Sequence, residues 1–587
     1  MEHREEVKMN YLQYPNPIFA RENITLLDGQ WNIDIISEDN ERVNCVIQVP
    51  FCPESALSGV RYTKRIETCT YNRQFTLEQD RLDGKRIMLH FGAVDYIAQV
   101  YVNDRLVDCH TGGYTPFSMD ITDYVRIGNN NLFVRVHDYT RNNQAHGKQT
   151  HRDYSFGCFY TRTTGIWQSV WLEYVPQNHI HSFRFFPDPK RSSVDVELRT
   201  TGSGTYKVEV FFEGQIVGCS LGTVDYRTQT TIALTQKHLW QVGNGALYDV
   251  KITYDQDEVY TYFGLRSVGF KGYDFLLNGK PVFQKLVLDQ GFYPDGLYTA
   301  PSIEAMEKDI RLGLELGFNG ARLHEKVFDP RFLYLCDRMG YMVWGEFPSW
   351  GVDYFDLSHF GQFVTEWEEE LARDFNHPSI VAWCPLNEVW GDWDTEKRYR
   401  DVRFVEGIYD FTKLYDPTRP CVDTSGGHHG KKTDIYDFHC YCTADFLAQR
   451  LKEIEQEGKM DIPFLYCAYD DLRYKKGTPV MVSEFGGFSL GIKPKCEKKS
   501  IDEGAGAVLD TEAWGYGDGE ENGTDFANRY AELVQVISSS PIISGFCYTQ
   551  LYDIEQEANG FYTYDRKDKL TEEEKSIIRR ANDAISR

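Results

Sequence analysis

The pattern of hydrophobic residues changes once along this 587-residue chain, near Val268. Before that point, short alternating or apolar runs are separated by turn residues, as in the runs 86–91, 98–102 and 132–136. After it, similar runs alternate with segments whose apolar residues recur every three or four positions. The first pattern is typical of antiparallel β-sheets and the second of strand–helix repeats. The chain is therefore predicted to be a multidomain protein of the β plus α/β class.

The β region divides into two predicted domains. Residues 1–178 carry many strand-like runs at close spacing, which predicts an all-β sandwich. The next unit, 179–267, is shorter and continues the pattern in runs such as 194–198 and 248–253. Its size fits one immunoglobulin-like sandwich. No Cys…Trp…Cys core is recognisable there, so the likeness is one of architecture only.

Residues 268–587 are predicted to form a (β/α)8 barrel. Ile303, Met306, Ile310 and Leu314 have helical spacing, and Gly317 follows as a cap. Eight candidate strands alternate with helical segments: 282–288, 319–323, 342–346, 380–385, 421–424, 435–439, 480–483 and 543–548. Eight repeats favour the barrel. The competing doubly wound sheet usually opens with a glycine-rich phosphate turn, and no GxGxxG follows the first strand.

The charge balance and the absence of long apolar runs limit the partners. Lys and Arg number 63 against 88 Asp and Glu, and the resulting net charge of −25 argues against nucleic acid. No stretch approaches about 18 consecutive apolar residues, so we expect no membrane span. The N-terminal segment lacks the apolar core of a secretory signal. Together with 14 cysteines, this predicts a cytoplasmic protein with reduced thiols, and leaves a homo-oligomer open.

One group of histidines and cysteines comes nearest to a metal-binding motif. It consists of His428, His429, His439, Cys440 and Cys442. The group lacks CxxC and HExxH spacing. Adjacent residues of a strand also point to opposite faces. We therefore expect no metal and no other cofactor.

Two predicted barrel strands run directly into a glutamate. The fourth strand is followed by Asn387 and Glu388, and the seventh ends in Ser483 and Glu484. Barrel active sites lie at the carboxyl ends of the strands, and strands four and seven lie on opposite sides of the barrel. An ordinary salt bridge is the alternative for either glutamate alone. Two carboxyls that face each other are what glycoside hydrolysis requires, one as acid and one as nucleophile or base.

The segments around both glutamates resemble glycoside hydrolase family 2, which contains β-galactosidases, β-glucuronidases and β-mannosidases. His377-Pro-Ser-Ile-Val-Ala-Trp-Cys-Pro-Leu-Asn387-Glu388 is similar to the acid/base signature of that family, and Ser483-Glu484-Phe-Gly-Gly to its nucleophile segment. Further matches lie in the first sandwich and at the entry to the barrel: 113–117, 164–171, 263–266 and 277–281. The resemblance covers nearly the whole chain. It implies a jelly-roll-like sugar-binding sandwich, an Ig-like sandwich and a catalytic barrel, in that order.

The resemblance also implies roles for residues at the strand ends. Glu388 would be the general acid/base, Glu484 the nucleophile, and Asn387 the partner of the sugar 2-hydroxyl. Three more residues would support the nucleophile or the sugar: Arg322, His324 and Tyr441. Others are substrate-binding candidates by position: His439, Asp289, Trp344, Glu346 and Trp390.

The sequence constrains the sugar less than the reaction. β-Glucuronidases of the family hold the uronate carboxylate with an Asn-x-Lys pair, and Glu557 and Asn559 occupy those positions here. An acidic residue there would repel a uronate, which predicts poor hydrolysis of β-glucuronides. A β-galacturonide would need a cation, for which Arg322 and Lys326 are the candidates. The sandwich loop 152–162 is expected to reach the site.

We therefore predict an exo-acting retaining β-glycosidase whose partner is a small-molecule glycoside or oligosaccharide. It would remove terminal, galacto-configured β-linked sugars, as β-galactosides or β-galacturonides, through a covalent glycosyl-enzyme. β-Glucuronidase and other family specificities, such as β-mannosidase or arabinosidase, are the alternatives. A non-catalytic carbohydrate-binding protein is a remote alternative, because it predicts the loss of one carboxylate and both are present.

Overall fold

A computed structural model describes residues 10–139, 143–354, 356–389, 402–427, 429–457, 474–492 and 512–585. Two residues considered above, Trp390 and His428, lie outside these ranges. No helix within the described ranges has the length and apolarity needed to cross a membrane.

Two antiparallel sheets form the first sandwich, one of four strands in the order β1-β12-β5-β9 and one of six in the order β3-β2-β4-β10-β7-β8. Inward-facing residues alternate along the strands, so that Leu132, Val134 and Val136 of β10 are buried. A short helix, α1 (Gln79–Leu82), precedes β5. The strands of this region are β1 (Ile24–Leu26), β2 (Gly29–Ser37), β3 (Arg42–Val49), β4 (Ile66–Leu77), β5 (Lys85–Phe91), β6 (Val94–Asp95), β7 (Ile97–Val102), β8 (Arg105–Thr111), β9 (Phe117–Asp120), β10 (Gly128–His137), β11 (Gly165–Ile166) and β12 (Val170–Pro176).

The second sandwich is built around two long strands, β14 and β15. The first part of β14 pairs with β13 and its last part with β16, and a register shift between Arg199 and Ser203 separates the two parts. The sheet therefore folds over its own core, which includes Val196, Val208 and Val250. The strands are β13 (Ile180–Asp188), β14 (Ser193–Phe212), β15 (Gln215–Ala233), β16 (Leu247–Tyr254) and β17 (Asp257–Gly264).

Among the residues that the structure describes, the barrel sheet contains seven parallel strands in the order β24-β23-β22-β21-β27-β26-β25. They correspond to seven of the eight strands predicted above. A small antiparallel sheet leads into the barrel: β18 (Val268–Lys271), β19 (Asp274–Leu277) and β20 (Lys280–Pro281). The barrel strands are β21 (Gln284–Asp289), β22 (Gly320–Leu323), β23 (Met342–Glu346), β24 (Ile380–Cys384), β25 (Tyr436–Cys440), β26 (Val480–Gly486) and β27 (Ile543–Thr549).

Helices cover the outside of the barrel. The predicted helical segment after the first strand is confirmed as α2, which begins after the N-cap Ser302 and buries Met306 and Ile310. Its last turn precedes Gly317, whose φ of 83° suits the end of a helix. The barrel helices are α2 (Ile303–Glu315), α3 (Pro330–Met339), α4 (Phe360–Asp374), α5 (Val402–Tyr415), α6 (Ala444–Glu457), α7 (Gly523–Ser539) and α8 (Glu572–Asp583).

The fifth predicted repeat differs from the others. Its strand segment, 421–424, is connected to β24 only by isolated bridges, such as Trp383 to Cys421. Among the described residues of 426–435 no helix follows it. His429 instead fixes this connection, with Nδ1 2.6 Å from Asp423 Oδ1 and Nε2 2.8 Å from the backbone oxygen of Asp437. The prediction of eight complete strand–helix repeats is therefore wrong at this repeat.

The cysteines mostly agree with the prediction of free thiols. Ten of those in the described ranges are unpaired. Cys440 and Cys442 form a disulfide, which contradicts the prediction at one position. Their Cα atoms lie 5.5 Å apart at the end of β25, a separation that a disulfide can span. The pair flanks Tyr441.

Candidate active site

The two predicted catalytic carboxylates meet at the carboxyl ends of the barrel strands. Glu484 lies within β26, and Glu388 lies four residues beyond the end of β24. One oxygen of each carboxylate lies within 4.8 Å of an oxygen of the other. This separation is close to the spacing of about 5–5.5 Å that characterises retaining glycosidases, and below the roughly 6.5–9.5 Å of inverting ones.

The backbone of Glu388 adopts an unusual conformation. Its φ is 45°, in the left-handed region that side chains other than glycine rarely occupy. The amide of Glu388 donates to the backbone oxygen of Ser425 over 2.8 Å, so the fifth strand segment holds this conformation in place. Such backbone strain, of order 1–3 kcal/mol, is common at active sites.

Glu484 lies in a cage of cations and hydrogen-bond donors. Arg322 Nη1 donates to Oε1 over 3.1 Å, and His324 Nε2 is 3.4 Å from the same oxygen. The hydroxyl of Tyr441 donates to Oε2. Burial alone would raise the pKa of Glu484, but His439, His324 and Arg322 hold it well below its usual range. Glu484 is therefore ionised at rest, as a nucleophile must be.

His439 connects the two carboxylates. Its Nδ1 is 2.7 Å from Glu388 Oε1, and its Nε2 is 3.3 Å from Glu484 Oε1. Burial would lower the pKa of His439, but Glu484 and Glu388 raise it above its ordinary value. These three residues also have the spacing of metal ligands. Nδ1 is hydrogen-bonded to Glu388 and Nε2 lies 3.1 Å from Ser425 Oγ, so both ring nitrogens have partners within the protein.

Arg322 organises the floor of the site. It is fully buried and binds Glu346 through two hydrogen bonds, of 2.5 and 3.0 Å. Its Nη2 also donates to Asn387 Oδ1 over 3.1 Å. Asn387 Nδ2 is buried and has no protein acceptor in the described part of the chain. A sugar hydroxyl would satisfy this donor, which fits the role predicted for Asn387.

Tyr516 was missed by the sequence analysis. Its ring stacks on that of Tyr441 with centroids 3.6 Å apart. Its backbone amide donates to the oxygen of Gly487 over 2.7 Å, which fixes it beside the nucleophile strand. No strand ends at Tyr516, so the search of strand ends had no signal that could find it.

Two other predicted residues serve the fold instead. Trp344 Nε1 donates to Gln284 Oε1 over 2.9 Å, towards the amino ends of the strands and away from the site. Asp289 accepts hydrogen bonds from Tyr552 and from the amide of Gly291. Burial raises the pKa of Asp289 to about 6.

Lys326 is engaged by backbone oxygens. Its ammonium donates to Gly291 O over 2.6 Å and to Tyr298 O over 2.8 Å. Burial lowers its pKa to about 7. The sequence predicted that Lys326 could bind a substrate carboxylate, and these contacts do not support that prediction. The side chain of Lys326 turns back into the fold although the residue follows a strand end.

A loop of the first sandwich reaches the barrel mouth, as predicted. The hydroxyl of Tyr160 donates to Glu557 Oε2, and Asn559 Nδ2 donates to Glu557 Oε1 over 2.9 Å. The amide oxygen of Asn559 accepts from Gln550 over 2.9 Å. Both the oxygen and the nitrogen of the buried Asn559 side-chain amide are therefore hydrogen-bonded within the protein. Asn559 thus positions Glu557 and does not offer a free group to the substrate.

The same loop carries Lys148, a second residue that the sequence analysis missed. Lys148 is 6% exposed, and its ammonium lies 4.0 Å from the centroid of the Trp350 ring. The indole of Trp350 donates to the backbone oxygen of Asn387 over 3.1 Å. Lys148 precedes the predicted loop 152–162 and is one basic residue among 63, so the sequence offers no signal for it.

Three models of one family match consecutive parts of the chain. The sugar binding domain of glycosyl hydrolases family 2 matches residues 27–176, a second model of the family matches 178–266, and its TIM barrel domain matches 268–478. The β-galactosidase of Thermoanaerobacter pseudethanolicus is 30% identical over 362 residues, which cover 57% of this chain and 46% of that protein. The chain spans about half the length of the curated relatives it matches.

Solved structures share the fold over almost the whole chain. A β-galacturonidase from Eisenbergiella tayi bound to galacturonate has a TM-score of 0.73 at 20% identity, and covers 97% of this chain and 98% of its own. The β-glucuronidase of Bifidobacterium dentium, complexed with coumarin-3-O-glucuronide, has a TM-score of 0.77 at 19% identity, with 96% and 98% covered. With all three domain models matched in order, the chain belongs to glycosyl hydrolases family 2.

Proposed function

We propose that this protein is an exo-acting retaining β-glycosidase that removes terminal β-linked sugars. The observation that carries the proposal is the pair Glu388 and Glu484, with oxygens within 4.8 Å at the carboxyl ends of opposite strands. Family membership supports the same reaction class. Tyr160 of the sandwich loop binds Glu557 beside the barrel mouth, and a site partly enclosed in this way suits a chain end better than the middle of a polymer.

The reaction would proceed in two displacements at the anomeric carbon. Glu484 attacks that carbon while Glu388 gives its proton to the leaving oxygen, so that the aglycone departs as an alcohol. Glu388 then takes a proton from water, and the resulting hydroxide displaces the carboxylate of Glu484. Asn387, whose Nδ2 lacks a protein partner in the described residues, would bind the sugar 2-hydroxyl through both steps.

His439 suits the exchange of charge between these steps. It lies within hydrogen-bond distance of Glu388, at 2.7 Å, and near Glu484, at 3.3 Å. When Glu484 becomes an ester, its negative charge is lost and Glu388 can ionise as the base. The imidazole of His439 remains close to whichever carboxylate carries the charge.

We further propose galacto-configured substrates, as β-galactosides or β-galacturonides. The acidic Glu557 stands where a β-glucuronidase of the family carries part of its carboxylate clamp, and this disfavours β-glucuronides. Proteins named β-galactosidase, β-glucuronidase and β-galacturonidase all resemble this chain in sequence or in fold. The percentage of identical residues therefore does not select the sugar.

A panel of aryl β-glycosides tests the proposal. It contains galacto, gluco and manno sugars with their galacturonic and glucuronic counterparts, assayed at several pH values. We expect release from a galacto-configured member, and NMR should detect the β-anomer as the first product. An initial α-anomer would contradict retention. No release from any member by folded protein would contradict the proposed function itself.

A further inference from the structure

We propose that the ammonium of Lys148 binds a carboxylate on the substrate, which makes uronides a substrate class of this enzyme. This inference rests on the proposed glycosidase function and names the substrate of the same site. The group that would be recognised is the carboxylate of the glycone, with β-galacturonides as the class favoured above.

The side chain of Lys148 is largely buried, and its ammonium has no partner of its own among the described residues. Lys148 is 6% exposed. Within the described part of the chain, no ion pair and no hydrogen bond joins its nitrogen to an acceptor, and the ammonium lies 4.0 Å from the centroid of the Trp350 ring. Lys326, which is 3% exposed, donates to two backbone oxygens. An ammonium with little access to water and no counter-ion is unfavourable, so a site that keeps one is prepared for an anion from outside.

The charge of Lys148 is maintained at this position. Burial would lower the pKa of Lys148, but Cys158 and the carboxylates of Glu557, Glu388 and Glu484 raise it above its ordinary value. Trp350, which carries the ammonium over its ring, is hydrogen-bonded to the residue next to Glu388.

The backbone around Lys148 is held from both sides. Tyr160 N donates to Lys148 O over 2.8 Å within the sandwich loop. The amides of His146 and Gly147 both donate to the backbone oxygen of Trp350 in the barrel. Gly147 has a φ of 54°, and a Cβ there would lie 2.5 Å from Glu325 O. The loop that carries Lys148 can therefore lie this close to the barrel only because residue 147 is glycine.

The other basic residues of the site are already committed. Arg322 binds Glu346, Glu484 and Asn387. Both oxygens of Glu557 accept hydrogen bonds, from Tyr160 and Asn559, so Glu557 does not need Lys148 as a contact partner. Among the described residues, Lys148 is the cation near the catalytic pair that remains available to a substrate carboxylate.

Lys148→Gln is the variant that tests the proposal, with Arg152→Gln as its matched control. Arg152 lies on the same loop, over the ring of Phe156 at 3.7 Å, and its replacement removes the same charge. The substrates are 4-nitrophenyl β-galacturonide and 4-nitrophenyl β-galactoside. We expect Lys148→Gln to lower kcat/KM for the galacturonide about 10- to 150-fold, mainly through KM, because hydrogen bonds to charged groups are that strong. Activity on the galactoside should change less than about threefold.

Inhibition by the free sugars distinguishes a loss of carboxylate binding from a general loss of folded protein. Galacturonate should inhibit the wild type more strongly than galactose does, and Lys148→Gln should remove that difference. Lys148→Arg should restore part of it, since it returns the charge. Equal losses on both substrates, or a loss matched by Arg152→Gln, would overturn the proposal.

Two further results distinguish the possible failures. A wild type that cleaves β-galactosides but neither cleaves nor binds uronates would overturn the role of Lys148 and leave the glycosidase function standing. A wild type inactive on every glycoside would instead overturn the proposed function. An aryl galactoside with a carboxylate on its aglycone forms the last arm: if Lys148→Gln affects this substrate and not the galacturonide, the recognised carboxylate belongs to the aglycone.

Discussion

Glu484 and Glu557 are both buried carboxylates at the mouth of the barrel, but different parts of the chain hold them. Glu484 receives its partners from barrel strands and the residues directly after them: Arg322, His324, His439 and Tyr441. Glu557 lies in a loop after β27 and receives Tyr160 from another domain. Burial raises the pKa of Glu557, whereas cations hold that of Glu484 well below its usual range.

These two sets of surroundings suggest a division of roles, with the reaction assigned to the residues around Glu484 and the choice of substrate to those around Glu557. The surroundings of Glu484 follow from the barrel alone, because parallel strands place their carboxyl ends at one edge. Part of the surroundings of Glu557, including Tyr160, is supplied where the first sandwich docks on the barrel, through contacts such as Gln556 with Gly157 and Trp350 with His146. We therefore expect changes in the docking loop to alter the preferred substrate while the proposed chemistry remains the same.

The largest expected effect comes from exchanging the catalytic carboxylates. Glu484→Gln should abolish turnover of every substrate, because the covalent intermediate cannot form. Glu388→Gln should spare aryl glycosides with good leaving groups, which need little protonation, and lose about 10²–10⁴-fold on poor ones. Steady-state rates on a series of leaving groups measure this contrast. Equal losses across the series for Glu388→Gln would contradict its role as acid.

A smaller effect should follow from removing the cation between the carboxylates. Glu484 must be ionised, and His439 contributes most among the groups that lower its pKa. In His439→Gln the pKa of Glu484 rises, so the acid limb of the profile of kcat/KM against pH should move to higher pH by about one unit or more. Tyr441→Phe, which removes a neutral donor, is the comparison and should shift the limb less. A shift to lower pH would contradict the assignment.

Exchange of Glu557 should change the preference between β-galacturonide and β-galactoside several-fold. Glu557→Gln keeps the shape of the side chain and removes its charge. If Glu557 disfavours uronates by repulsion, the ratio of kcat/KM for galacturonide to that for galactoside should rise about three- to tenfold. The ratio should be measured in parallel for Tyr160→Phe, which leaves the charge in place. A fall in the ratio for Glu557→Gln would show that Glu557 assists uronate binding.

The smallest expected effect is on the stability of the fold, and it concerns Glu325, which lies where the first sandwich contacts the barrel. Glu325 accepts hydrogen bonds from Ser349 and the amide of Trp350, and burial raises its pKa to about 8. The folded protein keeps this proton up to about pH 8, whereas the unfolded chain releases it near 4.5. Stability from this group is therefore present below about pH 4.5 and is lost as pH rises towards 8.

Glu325→Gln removes that titration. The Tm of the wild type should fall relative to the variant by a few degrees between pH 5 and pH 8, since about 1 kcal/mol corresponds to roughly 2–4 °C in larger domains. A difference in Tm that stays constant or grows with pH would contradict the raised pKa.

The sequence was sufficient to locate most residues of the candidate active site. Glu388, Glu484, Asn387 and Arg322 lie in or just after strands, so strand ends locate them without a structure. Seven of the eight predicted strands form the sheet. The fifth segment is joined to β24 by isolated bridges, and no helix follows it among the described residues of 426–435.

The sequence was not sufficient for residues that depend on side-chain direction or on contacts between domains. Trp344 and Lys326 lie near strand ends, but their side chains hydrogen-bond towards the interior of the fold. Tyr160 contacts Glu557 from another domain, 397 residues away in the chain, and the ammonium of Lys148 lies over the ring of Trp350 in the barrel. Hydrophobic periodicity predicts elements, and it contains no information on which loop of one domain docks on another.

Identification of the covalent intermediate tests the central claim most directly. A galactosyl fluoride or galacturonyl fluoride with fluorine at C2 slows the second displacement, so the glycosyl-enzyme should accumulate in the wild type. Mass spectrometry of the peptides should then find one added sugar on the carboxylate of Glu484 and none in Glu484→Gln. An adduct on another residue, or substrate turnover inhibited with no adduct at all, would contradict the account.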